Sequence, residues 1–272
     1  MEGVRVLESS PEYIEADKET IEDIINNNQV DNDERKKFFY YLNDYTDINL
    51  KLEADLETSK RFVSRLSNDK ALINLLFKFK EYNEGMLQHS RRIAIYSAAL
   101  TKLLNLNEKN RFNIYVGAIL HDIGKLALPK DLWNKITKPT ENDAKLMRGH
   151  TVNGYNILKD INKEAALVAL QHHERVSGCG YPKQLINKRI SYSSRIVSVL
   201  DVFDVMSNRR NYSLINYPLN TIYKFFELFS NEGKKTYQGK YEKLEMLINF
   251  FGDKQLFDHG ITEKFLELSP KA

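Results

Sequence analysis

The stretch VGAILHDIGK (116–125) joins an apolar run to a neighbouring histidine and aspartate. The apolar residues predict a buried helix, and Gly124 predicts its end. A His-Asp pair at the end of a buried helix offers an imidazole and a carboxylate whose two oxygens can bind different metal ions. The stretch therefore predicts a metal site built around His121 and Asp122 inside a helical domain.

The rest of the chain also predicts helices. Ser10, before proline, is a helix cap, and Thr140 with Asp143 predicts another helix start that resembles a capping box. A stripe in the amino-terminal part recurs at helical spacing: Leu52, Leu56, Val63 and Leu66. It favours packing onto the rest of this chain over a coiled-coil dimer, because it spans only about two heptads. We predict an all-α protein with a helical amino-terminal segment, 1–70, and a larger helical domain, 71–272.

Composition narrows the classes of function. The 272 residues are 42% hydrophobic and 28% charged, as in an ordinary globular protein. The amino terminus lacks a signal-peptide pattern, and no apolar run approaches the ~20 residues that a membrane span needs. The single cysteine, Cys179, excludes an internal disulfide and favours the cytoplasm. A net charge of +3 argues against a partner of duplex nucleic acid but suits a small anionic ligand.

The histidines are clustered along the chain. Five of the six lie between positions 89 and 173, and the sixth, His259, has no predicted role. One run, QHHERVSGCGYP (171–182), places two neighbouring histidines before a glycine-rich loop. A lone helical histidine is more often hydrogen-bonded to a neighbour than bound to metal. A buried set needs partners, however, because uncompensated burial is unfavourable, and metal ions satisfy such a set readily. The candidates are His89, His121, Asp122, His150, His172, His173 and Asp201.

The ordered motifs resemble one known family. HDIGK, then His150, then HHERVSGCGYP, then the helix of Asp201 followed by NRRNY (208–212) is similar to the HD-GYP proteins. That family is a subset of the HD-domain metal-dependent phosphohydrolases, and it acts on cyclic di-GMP, a bacterial signalling dinucleotide. The resemblance covers residues 85–268 and implies an HD-domain helical bundle. Residues 1–70 resemble no family that we can name.

The resemblance also implies residue roles. One divalent metal would be held by His89, His121, Asp122 and Asp201, and a second by Asp122, His150, His172 and His173. Asp122 would bridge the two ions, with a bridging water or hydroxide as nucleophile. Lys125 would contact the reacting phosphate, while Arg210, Gly180, Tyr181 and Pro182 would bind the substrate. Imidazole and carboxylate ligands without thiolate suit Fe or Mn, with Zn as a further choice.

The chain departs from the family pattern at several positions. Ser177 stands where an aspartate is usual in the loop, and Val176 where an aromatic residue is common. Gly85 stands where some members carry a glutamate for a third metal, which favours two metals here. Ser213 replaces a basic residue, so Arg210 is left as the predicted phosphate contact.

Three classes of function follow from the resemblance. The favoured class is a phosphodiesterase that opens cyclic di-GMP to linear pGpG, with GMP as a further product. The second is a non-catalytic module that binds cyclic di-GMP, or docks a GGDEF diguanylate cyclase through the GYP loop. The third is an HD hydrolase of another nucleotide, such as a mixed cyclic dinucleotide. A homodimer through the amino-terminal helices is a further predicted partnership.

Overall fold

The computed structural model describes residues 13–26, 30–46, 48, 50–134, 140–208, 217–231 and 254–269. Over these residues the regular structure is helical, apart from one isolated bridge between Ser177 and Ile186, so the all-α prediction is confirmed. The α-helices are α1 (Lys18–Asn26), α2 (Asn32–Asn43), α3 (Leu56–Leu66), α4 (Lys70–Tyr82), α5 (Glu84–Leu103), α6 (Glu108–Leu120), α7 (Asp131–Asn134), α8 (Glu141–Leu158), α9 (Lys163–Gln171), α10 (Tyr192–Ser207), α11 (Leu219–Phe229) and α12 (His259–Leu266). No helix among the described residues is both long enough and apolar enough to cross a bilayer.

The central bundle consists of α5, α6, α8, α9 and α10. Helix α6 packs against both α5 and α9, α8 packs against α9, and α10 packs against both α5 and α9. The helix starts follow from side-chain caps, as expected for the unpaired N–H groups of a first turn. Thr140 and Asp143 form the predicted capping box at the start of α8. These packings bring the end of α6, the middle of α8 and the end of α9 to one place.

The glycine of the HDIGK motif has a different role from the predicted one. Helix α6 ends at Leu120 with His121 as its C-cap, and Gly124 lies within a 3-10 helix, Ile123–Ala127. A Cβ atom on Gly124 would lie 1.9 Å from the carbonyl oxygen of His150 and 2.3 Å from the backbone nitrogen of Gly154. Glycine is therefore needed for the close approach of this 3-10 helix to α8, and the prediction that it ends the helix was wrong.

The amino-terminal helices share the hydrophobic core of the bundle. Phe62 on α3 is fully buried, and its ring meets those of Phe112 and Tyr115 on α6 edge-on. Of the predicted stripe, Val63 and Leu66 are buried in this core, and Leu56 is half-buried. The fourth member, Leu52, is buried too but precedes α3, whose N-cap is Asp55. The observed helix is therefore shorter than the predicted stripe, and the prediction that Leu52 lies on it was wrong. The helix start at Ser10 lies outside the described residues.

Polar contacts also join the amino-terminal segment to the bundle. The buried guanidinium of Arg91 on α5 donates hydrogen bonds to the carbonyl oxygens of Tyr41 at 2.7 Å, Leu42 at 3.2 Å and Asp44 at 2.6 Å. The backbone N–H of Ile14 donates to a carbonyl oxygen of α8 at 3.1 Å. Both α5 and α8 carry predicted metal ligands, so the amino-terminal segment contacts two of the helices that position the site.

Candidate metal centre

Asp122 lies at the centre of the predicted ligands. Its Oδ2 atom is 3.3 Å from Nε2 of His121, and its Oδ1 atom is 3.4 Å from Nε2 of His150. All three side chains are buried. The local cause is the end of α6, where the chain turns into the 3-10 helix and presents His121 and Asp122 together. One carboxylate thus faces imidazoles from two different helices with its two oxygens.

The first group of candidate ligands surrounds Oδ2 of Asp122. Donor atoms of His89, His121 and Asp122 all lie within 4.8 Å of one another. Asp201 completes this side, with its Oδ1 atom 3.1 Å from Nε2 of His89 and 3.9 Å from Nε2 of His121. The spacing and the mixture of nitrogen and oxygen donors suit a divalent transition metal.

The second group lies on the side of Oδ1. Donor atoms of His150, His172 and His173 fall within 4.8 Å of one another, and Nε2 of His172 is 3.9 Å from Asp122 Oδ1. Asp201 also approaches this group, because its Oδ2 atom is 3.9 Å from Nδ1 of His173. The structure therefore brings together all seven residues predicted as ligands.

Hydrogen bonds at the far ring nitrogens orient three of the imidazoles. The Nδ1–H groups of His121, His150 and His172 donate to backbone carbonyl oxygens one turn earlier, those of Ala118, Met147 and Ala169. A histidine that donates from Nδ1 keeps a lone pair at Nε2, which is the state that binds metal. In each of the three, Nε2 faces the centre of the site.

The hydrogen-bond partners of the Nε2 atoms indicate whether these residues fit metal ions. Nε2 of His150 and Nε2 of His172 are 3.3 Å apart, and neither can donate to the other when both rings are protonated at Nδ1. Nε2 of His121 is buried and makes no hydrogen bond within the described part of the chain. Facing or unpaired buried acceptors are unfavourable unless a cation binds them. The donor set therefore fits metal ions.

Charge states agree with this fit. Burial lowers the pKa of His150 to about 4 and holds the pKa values of His172 and His173 well below the ordinary histidine value. Burial alone would raise the pKa of Asp122, but Lys125 and His121 outweigh it and hold that pKa well below its usual range. At neutral pH His150, His172 and His173 are therefore neutral and Asp122 is ionised, the forms that coordinate metal. Burial alone would lower the pKa of His121, but Asp122 and Asp201 outweigh it and raise that pKa, so a metal ion at His121 would displace a proton.

Lys125 lies beside the carboxylate instead of projecting away from it. Its Nζ atom is 2.5 Å from Oδ2 of Asp122, and the residue is buried. The 3-10 helix causes this position, since it brings the backbone N–H of Lys125 within 3.0 Å of the Asp122 carbonyl oxygen. The predicted phosphate contact of Lys125 stays a prediction, and the structure adds a second contact to it.

The GYP loop folds back over the paired histidines. The ring of Tyr181 stacks on that of His173 with centroids 4.7 Å apart. A Cβ atom on Gly180 would lie 2.5 Å from His173 O and from the backbone of Glu174 and Arg175, so only glycine allows this reversal. Pro182 follows, half-exposed, at the edge of the site.

The two charged residues after the histidine pair hold the loop, a role that sequence reasoning missed. The carboxylate of Glu174 is buried and accepts backbone hydrogen bonds from Lys183 and Leu185. The guanidinium of Arg175 donates to the carbonyl oxygen of His172 and to the hydroxyl of Ser198 on α10. The sequence did carry a signal for this role, because Glu174 and Arg175 are two neighbouring charged residues directly before the glycine-rich loop.

Sequence reasoning also missed three residues around the site. Asp204, which is fully buried, and the half-buried Arg92 form an ion pair behind His89. Their signal is a spacing of three residues from a predicted ligand, which places each on the same face of its helix. Arg148 is the third, with its guanidinium 5.6 Å from the centre of the Tyr181 ring.

Other predicted positions lie away from the centre or beyond the described residues. Arg210 and Ser213 fall outside the described residues. Glu84, one residue before Gly85, is exposed at the start of α5. Ser177 pairs with Ile186 through the backbone, and its hydroxyl is 3.3 Å from the sulfur of Cys179.

Comparisons with known proteins agree with this architecture. A family model described as an HD domain matches residues 71–218. A protein from Pseudomonas aeruginosa named as a cyclic di-GMP phosphodiesterase is 36% identical over 152 residues, which are 55% of this chain and 36% of that protein. A cyclic di-GMP phosphodiesterase response regulator from Xanthomonas campestris is 33% identical over 168 residues, 60% of this chain and 44% of its own length. A 3'3'-cGAMP-specific phosphodiesterase from Vibrio cholerae is 32% identical over 169 residues, 60% of this chain and 31% of its own length.

A solved structure adds evidence for the fold. Bd1817, described as an HDG"Y"P protein from Bdellovibrio bacteriovorus, superposes with a TM-score of 0.51 at 16% identity, covering 85% of this chain and 76% of that one. The chain spans less than half the length of each of the three relatives named above. The match over residues 71–218 shows that the chain belongs to the HD domain family, which confirms the HD-GYP resemblance of its motifs.

Proposed function

We propose that the chain is a metal-dependent phosphodiesterase that hydrolyses cyclic di-GMP to linear pGpG. The observation that carries this proposal is the carboxylate of Asp122, whose two oxygens each face a separate group of histidine nitrogens. Such an arrangement suits two metals that share one carboxylate, and paired metals are a recurrent device for displacement at phosphorus. The names of the relatives point to the same chemistry.

The proposed metal ligands divide as the family resemblance implies. His89, His121, Asp122 and Asp201 would hold one ion, and Asp122, His150, His172 and His173 the other. The donor set contains no thiolate, which favours Fe or Mn and leaves Zn as a further choice. Bound metals would supply Lewis acidity and a hydroxide nucleophile for attack at phosphorus.

Residues around the ligands would bind the substrate. The ammonium group of Lys125 lies beside Asp122, where its remaining N–H donors can reach a phosphate oxygen. Tyr181 and Arg148 place an aromatic face and a guanidinium at the mouth of the loop, groups that suit stacking with a guanine base. Arg210 stays the predicted contact of the second phosphate.

A turnover assay tests the proposal. The full chain, purified without oxygen and loaded with Fe(II) or Mn(II), should convert cyclic di-GMP to pGpG, with products followed over time by chromatography. Asp122→Ala should abolish both turnover and bound metal, because both groups of imidazoles lose the shared carboxylate. Asp131→Ala, an exposed aspartate in α7, is the matched control and should behave as wild type. Normal metal content and rate in Asp122→Ala would contradict the assignment, and accumulation of GMP instead of pGpG would correct the product.

A mixed cyclic dinucleotide is the second candidate substrate. The observation that favours it is the relative from Vibrio cholerae named as a 3'3'-cGAMP-specific phosphodiesterase. Parallel kinetics with cyclic di-GMP, 3'3'-cGAMP and guanosine tetraphosphate separate these substrates. Binding of cyclic di-GMP without turnover by the metal-loaded protein would instead favour the non-catalytic module. Docking of a GGDEF cyclase, a homodimer and a cytoplasmic location stay predictions.

A further inference from the structure

We propose that Asp204 is a positioning residue that orients His89, so that one of the two metal positions depends on a further side-chain carboxylate. In the other position, His150 and His172 are oriented by backbone carbonyl oxygens. This inference rests on the proposed two-metal centre. It predicts that loss of the Asp204 charge weakens the metal held by His89, His121, Asp122 and Asp201, and leaves the metal of His150, His172 and His173 in place.

Asp204 makes a short contact with His89. Its Oδ2 atom lies 2.6 Å from Nδ1 of His89, and the Asp204 side chain is fully buried. In the form that binds metal, the Nδ1–H group donates to this carboxylate and Nε2, which lies 3.1 Å from Oδ1 of Asp201, is the ligating nitrogen. A carboxylate behind a ligating imidazole fixes the ring orientation and increases the basicity of the ligating nitrogen.

The carboxylate is itself held from two other directions. Nε of Arg92 donates to Oδ1 at 2.6 Å and Nη2 of Arg92 donates to Oδ2 at 2.8 Å, a two-point contact of a guanidinium with a carboxylate. The amide of Asn208 donates to Oδ1 at 3.0 Å. Asp204 therefore has little freedom to move away from His89.

The two supporting residues share helices with two ligands. Arg92 is three residues after His89 on α5, and Asp204 is three residues after Asp201 on α10. Residues at this spacing lie on one face of a helix. Each helix thus supplies one ligand and one member of the ion pair between Arg92 and Asp204, which joins the two helices beside the site.

The other metal position is supported differently. Nδ1 of His150 donates to the carbonyl oxygen of Met147, and Nδ1 of His172 donates to that of Ala169. These acceptors are neutral and belong to the same helix as their histidine, so no side-chain substitution removes them. We therefore expect the two metal positions to respond differently to a change at residue 204.

Metal binding tests the inference without the use of activity. Metal-free full-length protein is titrated with Mn(II) by equilibrium dialysis, and the bound metal is examined by electron paramagnetic resonance. Wild type should bind two ions with a spin-coupled spectrum. Asp204→Asn should lose affinity for one ion by about 10- to 100-fold and retain the other. Its spectrum should become that of uncoupled, mononuclear manganese.

Two further variants separate positioning from stability. Arg92→Gln leaves the Asp204 carboxylate in place. It should therefore weaken the affinity for the metal held by His89 less than Asp204→Asn does, again without an effect on the other metal. Asp258→Asn breaks another ion pair of α10, that of Asp258 with Arg195. It should lower the melting temperature and leave both metal affinities unchanged. If Asp204→Asn fails to fold, Arg92→Gln decides the question by whether its loss is confined to one position.

The outcomes distinguish this inference from the proposed function. If wild type binds fewer than two ions, the two-metal centre itself is wrong. If wild type binds two and Asp204→Asn binds two with unchanged affinities, Asp204 has no positioning role. If Asp204→Asn lowers the affinity for both metals equally, or if the Asp258→Asn control lowers metal affinity as much as Asp204→Asn does, the ion pair acts only on stability.

Discussion

The carboxylate of Glu174 accepts a hydrogen bond from the backbone N–H of Lys183 at 2.7 Å, across a loop of eight residues. The other carboxylate oxygen accepts the N–H of Leu185 at 2.9 Å. One buried side chain therefore closes the GYP loop at its base, directly after the paired histidines. The loop carries Tyr181, so the position of that ring over His173 depends on Glu174.

Glu174→Ala should loosen the loop and leave the metals bound. Hydrogen bonds to a charged group contribute about 1.5–3 kcal/mol, so we expect the free energy of unfolding to fall by about that amount. The value of kcat/KM for cyclic di-GMP should fall as well, because Tyr181 is no longer fixed. Glu263→Ala, whose side chain is 65% exposed, is the control for denaturation and kinetics. Equal stability of the two variants would show that the loop does not need Glu174.

Gly124→Ala should separate the 3-10 helix from α8. The added Cβ would lie 1.9 Å from the carbonyl oxygen of His150, and a backbone atom cannot move aside as a flexible side chain can. We expect a loss of at least about 1–3 kcal/mol in unfolding free energy, the usual cost of overpacking. Bound metal should fall too, since Asp122 and His150 are moved apart. Calorimetry with elemental analysis measures both.

A second glycine provides the control for this substitution. At Gly260 in α12 the nearest atom to an added Cβ is 3.7 Å away, an ordinary contact. Gly260→Ala should change the unfolding free energy by less than about 1 kcal/mol and leave the metal content unchanged. A Gly124→Ala protein with the stability and metal content of Gly260→Ala would contradict the close approach of the 3-10 helix to α8.

Arg210→Ala should weaken substrate binding without loss of metal. Cyclic di-GMP has a second phosphate that metals at the reacting phosphate do not hold, and Arg210 is the predicted cation for it. A charge-assisted hydrogen bond contributes about 1.5–3 kcal/mol, so kcat/KM should fall by roughly one to two orders of magnitude. The neighbouring Arg209→Ala is the control. Unaltered kinetics in Arg210→Ala would mean that the substrate binds elsewhere.

Substitutions in α3 test how the amino-terminal helices are joined to the bundle. Val63 is 1% exposed, whereas Leu56 at the start of the helix is half-buried. Val63→Asp should therefore lower the free energy of unfolding by about 3 kcal/mol, and Leu56→Asp by clearly less. If the helix instead forms a dimer contact, sedimentation should show that the mutant protein is a monomer and wild type a dimer. If neither the free energy of unfolding nor the oligomeric state changes, both interpretations are contradicted.

The predictable parts of the molecule depend on local signals. The capping box at Thr140 and Asp143 was readable because its partners are three residues apart. The ligands were readable as a set, because imidazoles and carboxylates with no local partner need a distant one. Their ordered motifs then allowed the assignment to a family before any distance was known.

The missed parts depend on contacts between distant residues. Asp204 resembles any aspartate on a helix until α5 places His89 and Arg92 against it, more than 110 residues away in sequence. The role of Gly124 is similar, because its requirement comes from the backbone of α8 and not from its own helix. The role of Glu174 also depends on a chain reversal, because its hydrogen-bond donors at Lys183 and Leu185 lie on the far side of the loop.

The three carbonyl oxygens that accept from Arg91 affect how the protein can be divided. A fragment that begins at residue 71 keeps every proposed ligand but removes the acceptors at Tyr41, Leu42 and Asp44. The guanidinium of Arg91 would then lose these acceptors, and an unpaired buried charge is unfavourable. The helix of Arg91, α5, also carries His89, two residues earlier. The family match therefore begins after the residues whose carbonyl oxygens pair a buried charge on the helix of His89.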